Sequence, residues 1–353
     1  MSSGATTRVR TALSRQPRIE LAGLPTPLHE AARLRDALGG GCPRILIKRD
    51  DLTALGLGGN KARKLEYLVA DAKSKGATTL ITTGAVQSNH ARMTAAAACV
   101  AGMRCVLVLT STSEQPEVAG NLLLDTLYGA SIRLVPSIDP MLAVGKDEEV
   151  VAQVVEEERR AGRAPYVIPV GGSSGVGVLG YVGGSAELVD QLLDDGVSPS
   201  RLYYASGSRG TQAGLTLGAK LSEAPYRVYG VAVSAGEPEK IERARRIANE
   251  AASLLQLTER LELSDLFTDQ NFIGDGYGIP TRQGLEAIAL FARHEAIVLD
   301  PCYTSKGAAA MIAHIRSGEF RADETIVFLH TGGVPAIFTS AFAERIAPPP
   351  SLP

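Results

Sequence analysis

Nine short runs rich in apolar and β-branched residues punctuate this chain, and most of the gaps between them are amphipathic stretches that close on a glycine. The runs are RILIKRD (44–50), TTLITTG (78–84), CVLVLT (105–110), IRLVP (132–136), YVIPVG (166–171), RLYYAS (201–206), RVYGVAV (227–233), AIVLD (296–300) and TIVFLHTG (325–332). Few of them alternate polar with apolar residues, so they read as strands buried on both faces, as in a parallel sheet. Stretches such as NKARKLEYLVADAKSKG and NHARMTAAAACVAG have helical spacing and finish on the glycine that a helix C-terminus favours. Such repetition predicts an α/β fold of open, twisted, largely parallel sheets wrapped by helices. Nine strands, with a junction rich in proline and glycine near IPVGGSSG, suit two lobes better than one sheet. Ligands in such folds bind beyond the carboxyl ends of the strands.

Charge narrows what could bind there. A net charge of −2 over 353 residues attracts neither nucleic acid nor an anionic membrane. No apolar run reaches the roughly 18 residues of a membrane span. A small molecule is the expected partner. Cys42, Cys99, Cys105 and Cys302 show no paired spacing and no zinc-type histidines, so no disulfide framework or metal site is expected, and a reducing cytoplasm fits. The opening MSSGATTRVRTALSRQPR has several arginines and hydroxyls and no acid before Glu20, the composition of a transit peptide. It is short and weakly amphipathic, and reads instead as a frayed tail. The closing APPPSLP reads as a disordered tail.

Four loops carry chemistry, the fourth followed by the loop of the last strand. In GLGGNKARKLEYL (56–68), Lys61 follows a glycine-rich turn at the mouth of a helix. In TTGAVQSNHARM (82–93), Gln87, Ser88, Asn89 and His90 open an alanine-rich helix. Ser88 or Asn89 suits an N-cap, and free amides with short polar side chains also suit a carboxylate; both readings can hold together. In YASGSRGTQAGL (204–215), Ser206, Gly207, Ser208, Arg209, Gly210 and Thr211 lie between strand and helix, where a phosphate would find amides, hydroxyls and a favourable dipole. LDPCYTSKG (299–307) and LHTGGVP (329–335) offer Tyr303, Thr304 and Thr331. GVGVLG (175–180) matches a dinucleotide fingerprint, which makes a nicotinamide-dependent oxidoreductase a rival reading, but the next strand ends without the acid that fingerprint requires.

A lysine at a tight turn, a phosphate cup and strand-end hydroxyls together suggest pyridoxal 5'-phosphate. KRDDL, GGNKARKLEYL, GAVQSNHAR, GTQAGL, GYGIP, LDPCYTSKG and HTGGVPA, in that order and spacing, resemble the family of D-cysteine desulfhydrases and 1-aminocyclopropane-1-carboxylate deaminases, of the tryptophan-synthase-β-like fold (fold type II). The resemblance runs from about Leu24 to about Phe342. It implies that Lys61 is the Schiff-base lysine and that Asn89 holds the cofactor's 3'-oxygen. Ser88 would meet the substrate carboxylate or assist proton transfer, with Asn89 and His90 beside it. The loop from Ser206 to Thr211 would hold the phosphate, and Tyr277 and Tyr303 would be the active-site tyrosines. It also implies a smaller lobe at 64–173, inserted into a larger one made of 1–63 plus 174–353, and a homodimer.

Ring-opening relatives look to carry a glutamate after the second tyrosine, near the pyridine nitrogen, where this chain has Thr304. A hydroxyl there supports a protonated nitrogen less than a carboxylate does, which favours β-elimination from D-cysteine over opening a cyclopropane. Two departures point toward other substrates. Arg209 stands where relatives usually have glycine, and Met93 where they often have glutamine. Arg209 could hold an extra anion, which makes L-cysteate an alternative substrate, although an outward turn of its side chain is the favoured expectation. A cofactor-binding protein without turnover is the remaining alternative.

Overall fold

The computed structural model describes residues 3–137, 146–236 and 238–346. Its strands are β1 (Leu28–Glu30), β2 (Arg44–Arg49), β3 (Thr79–Ala85), β4 (Arg104–Ser111), β5 (Ser131–Pro136), β6 (Pro165–Ile168), β7 (Arg201–Ser206), β8 (Arg227–Ala232), β9 (Thr268–Asp269) and β10 (Thr325–His330). They form two sheets, ordered β1-β2-β10-β7-β8-β9 and β5-β4-β3-β6. Every pairing is parallel except β1 with β2. The fold is the expected one: largely parallel sheets wrapped by helices.

Burial on both faces is visible side chain by side chain. Ile45, Ile47, Tyr203, Ile326 and Phe328 point into one core with Phe291 and Met311. Their neighbours Leu46, Leu202, Tyr204, Val327 and Leu329 point into another with Leu188, Val189 and Leu215. At about 1.5–3 kcal/mol for each large apolar side chain buried, both faces stabilise the sheet, so neither could have been polar. No helix among the described residues is long and apolar enough to cross a membrane.

Several sequence expectations are corrected. AIVLD (296–300) is not a strand. Helix Arg282–Glu295 ends in a left-handed turn at Ala296, and Ile297 N donates back to Phe291 O. Ile297 and Leu299 are buried, but the Val298 carbonyl meets a side chain, His330 Nε2 at 3.1 Å, instead of a neighbouring strand. An apolar run signals burial, and pairing must be decided by the surroundings. The short strands β1 and β9 had no such signal.

The N-terminal segment is a helix, Ser3–Leu13, and not a frayed tail. Val9 and Leu13 pack against Val178 and Val182 of helix Gly175–Asp194, while Arg8 pairs with Glu259 and Arg10 with Asp190. APPPSLP lies outside the described residues. GVGVLG is not a phosphate loop but the start of helix Gly175–Asp194. A Cβ on Gly180 would collide with the Arg63 backbone, so its glycine serves the close approach of helix Lys61–Ser74.

Between those two helices lies a buried cluster of four charges. Arg63 donates to both oxygens of Asp50 at 2.8 Å and to both of Glu187 at 2.9 Å. Lys48 pairs with Glu187, and the Tyr181 hydroxyl donates to Asp50 at 2.6 Å. Burial alone would raise the Asp50 pKa; the charge and hydrogen bonds of Arg63 outweigh it and hold the carboxyl at about 2.

Candidate active site

A cavity of about 370 Å³ is lined from both sheets, by the loops after β3 and β6 and those after β7, β8 and β10. Lys61 enters it from the first position of its helix. The turn before it needs its glycines: Gly58 has φ +73, and a Cβ there would collide with the Asp51 carbonyl. Gly59 has φ +132, and a Cβ would lie 3.1 Å from Met93 Sδ. Thr53 Oγ1 locks the turn by accepting from Gly59 N at 2.8 Å and donating to Gly59 O at 2.9 Å. Burial lowers the Lys61 pKa to about 8, so about a tenth of the amine is unprotonated at pH 7, far more than for an ordinary lysine. Its Nζ donates to Asn60 Oδ1 at 3.1 Å, and Asn60 Nδ2 donates to Thr211 Oγ1 at 3.1 Å. Asn60, which sequence reasoning passed over, therefore links the lysine to the cup.

The cup is built at a helix N-terminus. The first intrahelical bond of Gly210–Leu221 runs from Ala213 N to Arg209 O at 2.9 Å, so the amides of Gly210, Thr211 and Gln212 precede it. Ser206, Gly207, Ser208 and Thr211 line the cavity; Gly210 lies just behind it. A Cβ on Gly210 would come within 2.6 Å of Ser173 Oγ and 2.8 Å of Lys64 Nζ. Lys64 is buried and donates to Gly171 O at 3.0 Å. Burial pushes its pKa well down, and Lys61 and Arg243 push it further. Lys240 and Arg243 reach the cavity from helix Glu239–Leu254, and Asp147 and Glu148 from helix Lys146–Arg160. None of these four stood in a recognisable motif.

Arg209 departs from the expectation of an outward turn. It lines the cavity, is 2% exposed, and keeps a left-handed backbone at φ +68. A non-glycine residue there costs about 1–2 kcal/mol of backbone strain, so the cup retains its shape and the side chain lies inward. Nη1 donates to Ser206 O at 3.4 Å.

On the facing wall, Ser88 caps helix Asn89–Ala101 by accepting from Ala91 N at 3.2 Å, while Arg92 N bonds Ser88 O. The amides of Asn89 and His90 are thereby left facing the cavity, so the cap and the anion site coexist. Asn121, buried and unsignalled in sequence, donates to Asn89 Oδ1 at 3.0 Å, which presents Asn89 Nδ2 as the free donor. His90 Nε2 lies 2.9 Å from Thr82 Oγ1, and burial, with Lys61 and Lys64 nearby, keeps the ring neutral. Met93 lies behind this wall in the core.

Tyr277 and Tyr303 close the cavity with their hydroxyls hydrogen-bonded and their rings 5.8 Å apart at 72°. Burial raises both phenols, and Tyr303 lies well above its ordinary value, so both stay protonated near neutrality. Thr331 lines the floor. Thr304 does not line the cavity: its hydroxyl donates to Asp300 Oδ1 at 2.6 Å and accepts from Asp300 N at 2.8 Å. Asp300 also accepts from the amides of Cys302, Tyr303 and Thr304.

An amine with a lowered pKa at one end and a cradle of free amides with nearby cations at the other suit a small aldehyde that bears a phosphate. They place the molecule in the class of pyridoxal-phosphate enzymes with two open α/β sheets. A family model described as "Pyridoxal-phosphate dependent enzyme" matches residues 19–332, and the chain belongs to that family. Among solved structures it is similar to an ACC deaminase homologue at 36% identity and TM-score 0.85, covering 98% of this chain and 99% of that one. It shares its fold with the apo diaminopropionate ammonia lyase of Escherichia coli at 16% identity and TM-score 0.65, covering 98% and 91%. A pyridoxal 5'-phosphate-dependent aspartate racemase is similar at 15% identity and TM-score 0.62, covering 94% and 95%.

Proposed function

We propose that the protein is a carbon-sulfur lyase that converts D-cysteine and water to pyruvate, ammonia and hydrogen sulfide. The observation that carries this reading is the turn after Tyr303. Asp300 is consumed by four local hydrogen bonds and Thr304 faces it, so neither residue presents a carboxylate to the cavity. Elimination of a good leaving group needs a weaker electron sink than ring opening does.

When bound, pyridoxal phosphate supplies that sink, which makes the α-proton acidic and lets the β-carbon shed its substituent. Lys61 Nζ, its pKa lowered by burial to about 8, takes the α-proton in its unprotonated form. Ser88 and the amides of Asn89 and His90 bind the substrate carboxylate at the helix N-terminus. Asn89 Nδ2 and the cup from Ser206 to Thr211, with Gly207, Ser208, Arg209 and Gly210 between them, hold the cofactor beside Thr331. One of the Tyr277 and Tyr303 hydroxyls donates to the other, which leaves the second hydroxyl proton for the departing thiolate. The same reading divides the chain into 64–173 and 1–63 plus 174–353, which the two separate sheets support, although the boundary at 63/64 falls inside helix Lys61–Ser74. A cytoplasmic homodimer with reduced cysteines completes it.

One observation favours a second substrate, L-cysteate: Arg209 turns inward, in a cavity that Lys240 and Arg243 also line. The similarity to an ACC deaminase homologue adds the cyclopropane amino acid as a third. Pyruvate release from cofactor-loaded protein, with D-cysteine, L-cysteine, L-cysteate and the cyclopropane amino acid side by side, tests the reading. Release from D-cysteine that Lys61→Ala abolishes is the expected result. Release from L-cysteate alone would replace the substrate, and silence on all four would leave a cofactor-binding protein without this reaction.

A further inference from the structure

Tyr303 stands at the head of helix Thr304–Arg316, whereas Tyr277 sits on an irregular segment between β9 and the helix that starts at Arg282. That segment has little of its own to hold it in one shape. Gly274, Gly276 and Gly278 surround Tyr277 with φ of +68, +151 and +76, conformations that only glycine adopts readily and that leave the chain many alternatives. Its start is fixed by Asp269, whose Oδ1 accepts from Asn271 N and Nδ2, both at 2.8 Å, and its end by the Thr281 cap of the next helix.

Between those two points a buried lysine reaches across. Lys306, on the first turn of the Tyr303 helix, is 0% exposed, and its Nζ donates to Ile273 O at 2.6 Å and to Gly276 O at 2.9 Å. Both carbonyls lie within four residues before Tyr277. The ammonium forms no ion pair within 4.0 Å among the described residues; burial lowers its pKa, outweighing Asp300 and Asp275, which act on it from farther away and raise it. A buried cation without a carboxylate in contact costs more than an apolar side chain of the same length, so the fold pays for a lysine here and uses it as a two-carbonyl clamp.

We propose that Lys306 is a positioning residue for Tyr277: it ties the backbone of the 273–276 loop to the helix that carries Tyr303, and so holds the two phenols in hydrogen-bonding register. The inference rests on the reading of that tyrosine pair as the proton donor. Lys306 acts on loop geometry and takes no proton itself.

Cofactor-loaded Lys306→Met, Lys306→Arg, Tyr277→Phe and the double variant Lys306→Met/Tyr277→Phe test it. In Lys306→Met the amides of 271–281 should exchange with solvent about tenfold faster or more, with helix Thr304–Arg316 unchanged. On whichever amino acid is turned over, kcat should fall in Lys306→Met and recover in part in Lys306→Arg. The double variant should be no slower than Tyr277→Phe alone, because a clamp without its tyrosine has nothing to position. Unchanged exchange in 271–281, or losses that multiply in the double variant, would overturn the proposal. Lys306→Gln gives the same readouts if Lys306→Met does not fold. If the wild type turns over none of the four amino acids, the proposed function fails while the exchange measurement still decides the role of Lys306.

Discussion

Arg63 and Lys64 are consecutive residues of one helix, each 1% exposed, and they sit in opposite electrical worlds. Arg63 faces the cluster in which two cations meet two carboxylates, Asp50 and Glu187, and its own pKa is held well above the ordinary value. Lys64 faces the cup, where burial, Lys61 and Arg243 all push its pKa down and no carboxylate pushes back. The same holds for Lys240 and Arg243, for which only burial and other cations act. Charge that the fold balances holds the fold together. Asp147 and Glu148 also line the cavity, but neither pairs with these three cations. A cation at the cup without a paired carboxylate among the described residues is set for an anion the chain does not supply, here the phosphate of the cofactor.

The comparison breaks most visibly at the cavity itself. Lys61→Ala should lower turnover by about 10³-fold or more while leaving the buried cluster and the unfolding midpoint nearly unchanged; steady-state kinetics and thermal melts on the same sample check both halves. Next in size is the balanced side. Arg63→Met leaves Asp50 and Glu187 with Lys48 as their one remaining cation, and should cost about 3–5 kcal/mol in urea unfolding. The sign of its pH dependence follows from Asp50, whose pKa falls from 3.8 to about 2 on folding. Stability from this carboxylate is present above about pH 4 and is lost as the pH falls through 2, and Arg63→Met should flatten that acid limb. Smaller still is the pH dependence of cofactor loading. With Lys61 near 8, only its unprotonated fraction attacks an aldehyde, so the loading rate of apo-protein should climb tenfold per pH unit well below 8 and level off above it. Stopped-flow absorbance follows this directly.

Much of the fold was legible because strands buried on two faces leave continuous apolar runs, and because glycine marks where a chain must turn or approach closely. AIVLD misled because Ile297 and Leu299 are as buried as strand residues while Val298 O is satisfied by His330. The N-terminal helix was missed because its apolar stripe amounts to little more than Val9 and Leu13, and its arginines find their acids at Asp190 and Glu259, far along the chain. At the site, Lys61, Ser88 and the Ser206–Thr211 loop announced themselves by sitting where a strand or a glycine turn meets a helix. Asn60 carries the same mark, between the glycine turn and Lys61, and the lysine beside it is the stronger signal. Asn121, Lys240 and Arg243 had none, since what brings them to the site is tertiary packing. Arg209 was misjudged because sequence places a residue in a loop without saying which way its side chain turns.

The most direct measurement is the effect of Lys64→Met on two quantities at once: the stability of the cofactor-free protein and the dissociation constant for pyridoxal phosphate. Unbalanced charge kept for a ligand predicts that the apo-protein is as stable as the wild type or more so, and that cofactor affinity drops about tenfold to a hundredfold. Loss of apo stability with unchanged affinity would contradict the account, since Lys64 would then be one more structural charge like Arg63.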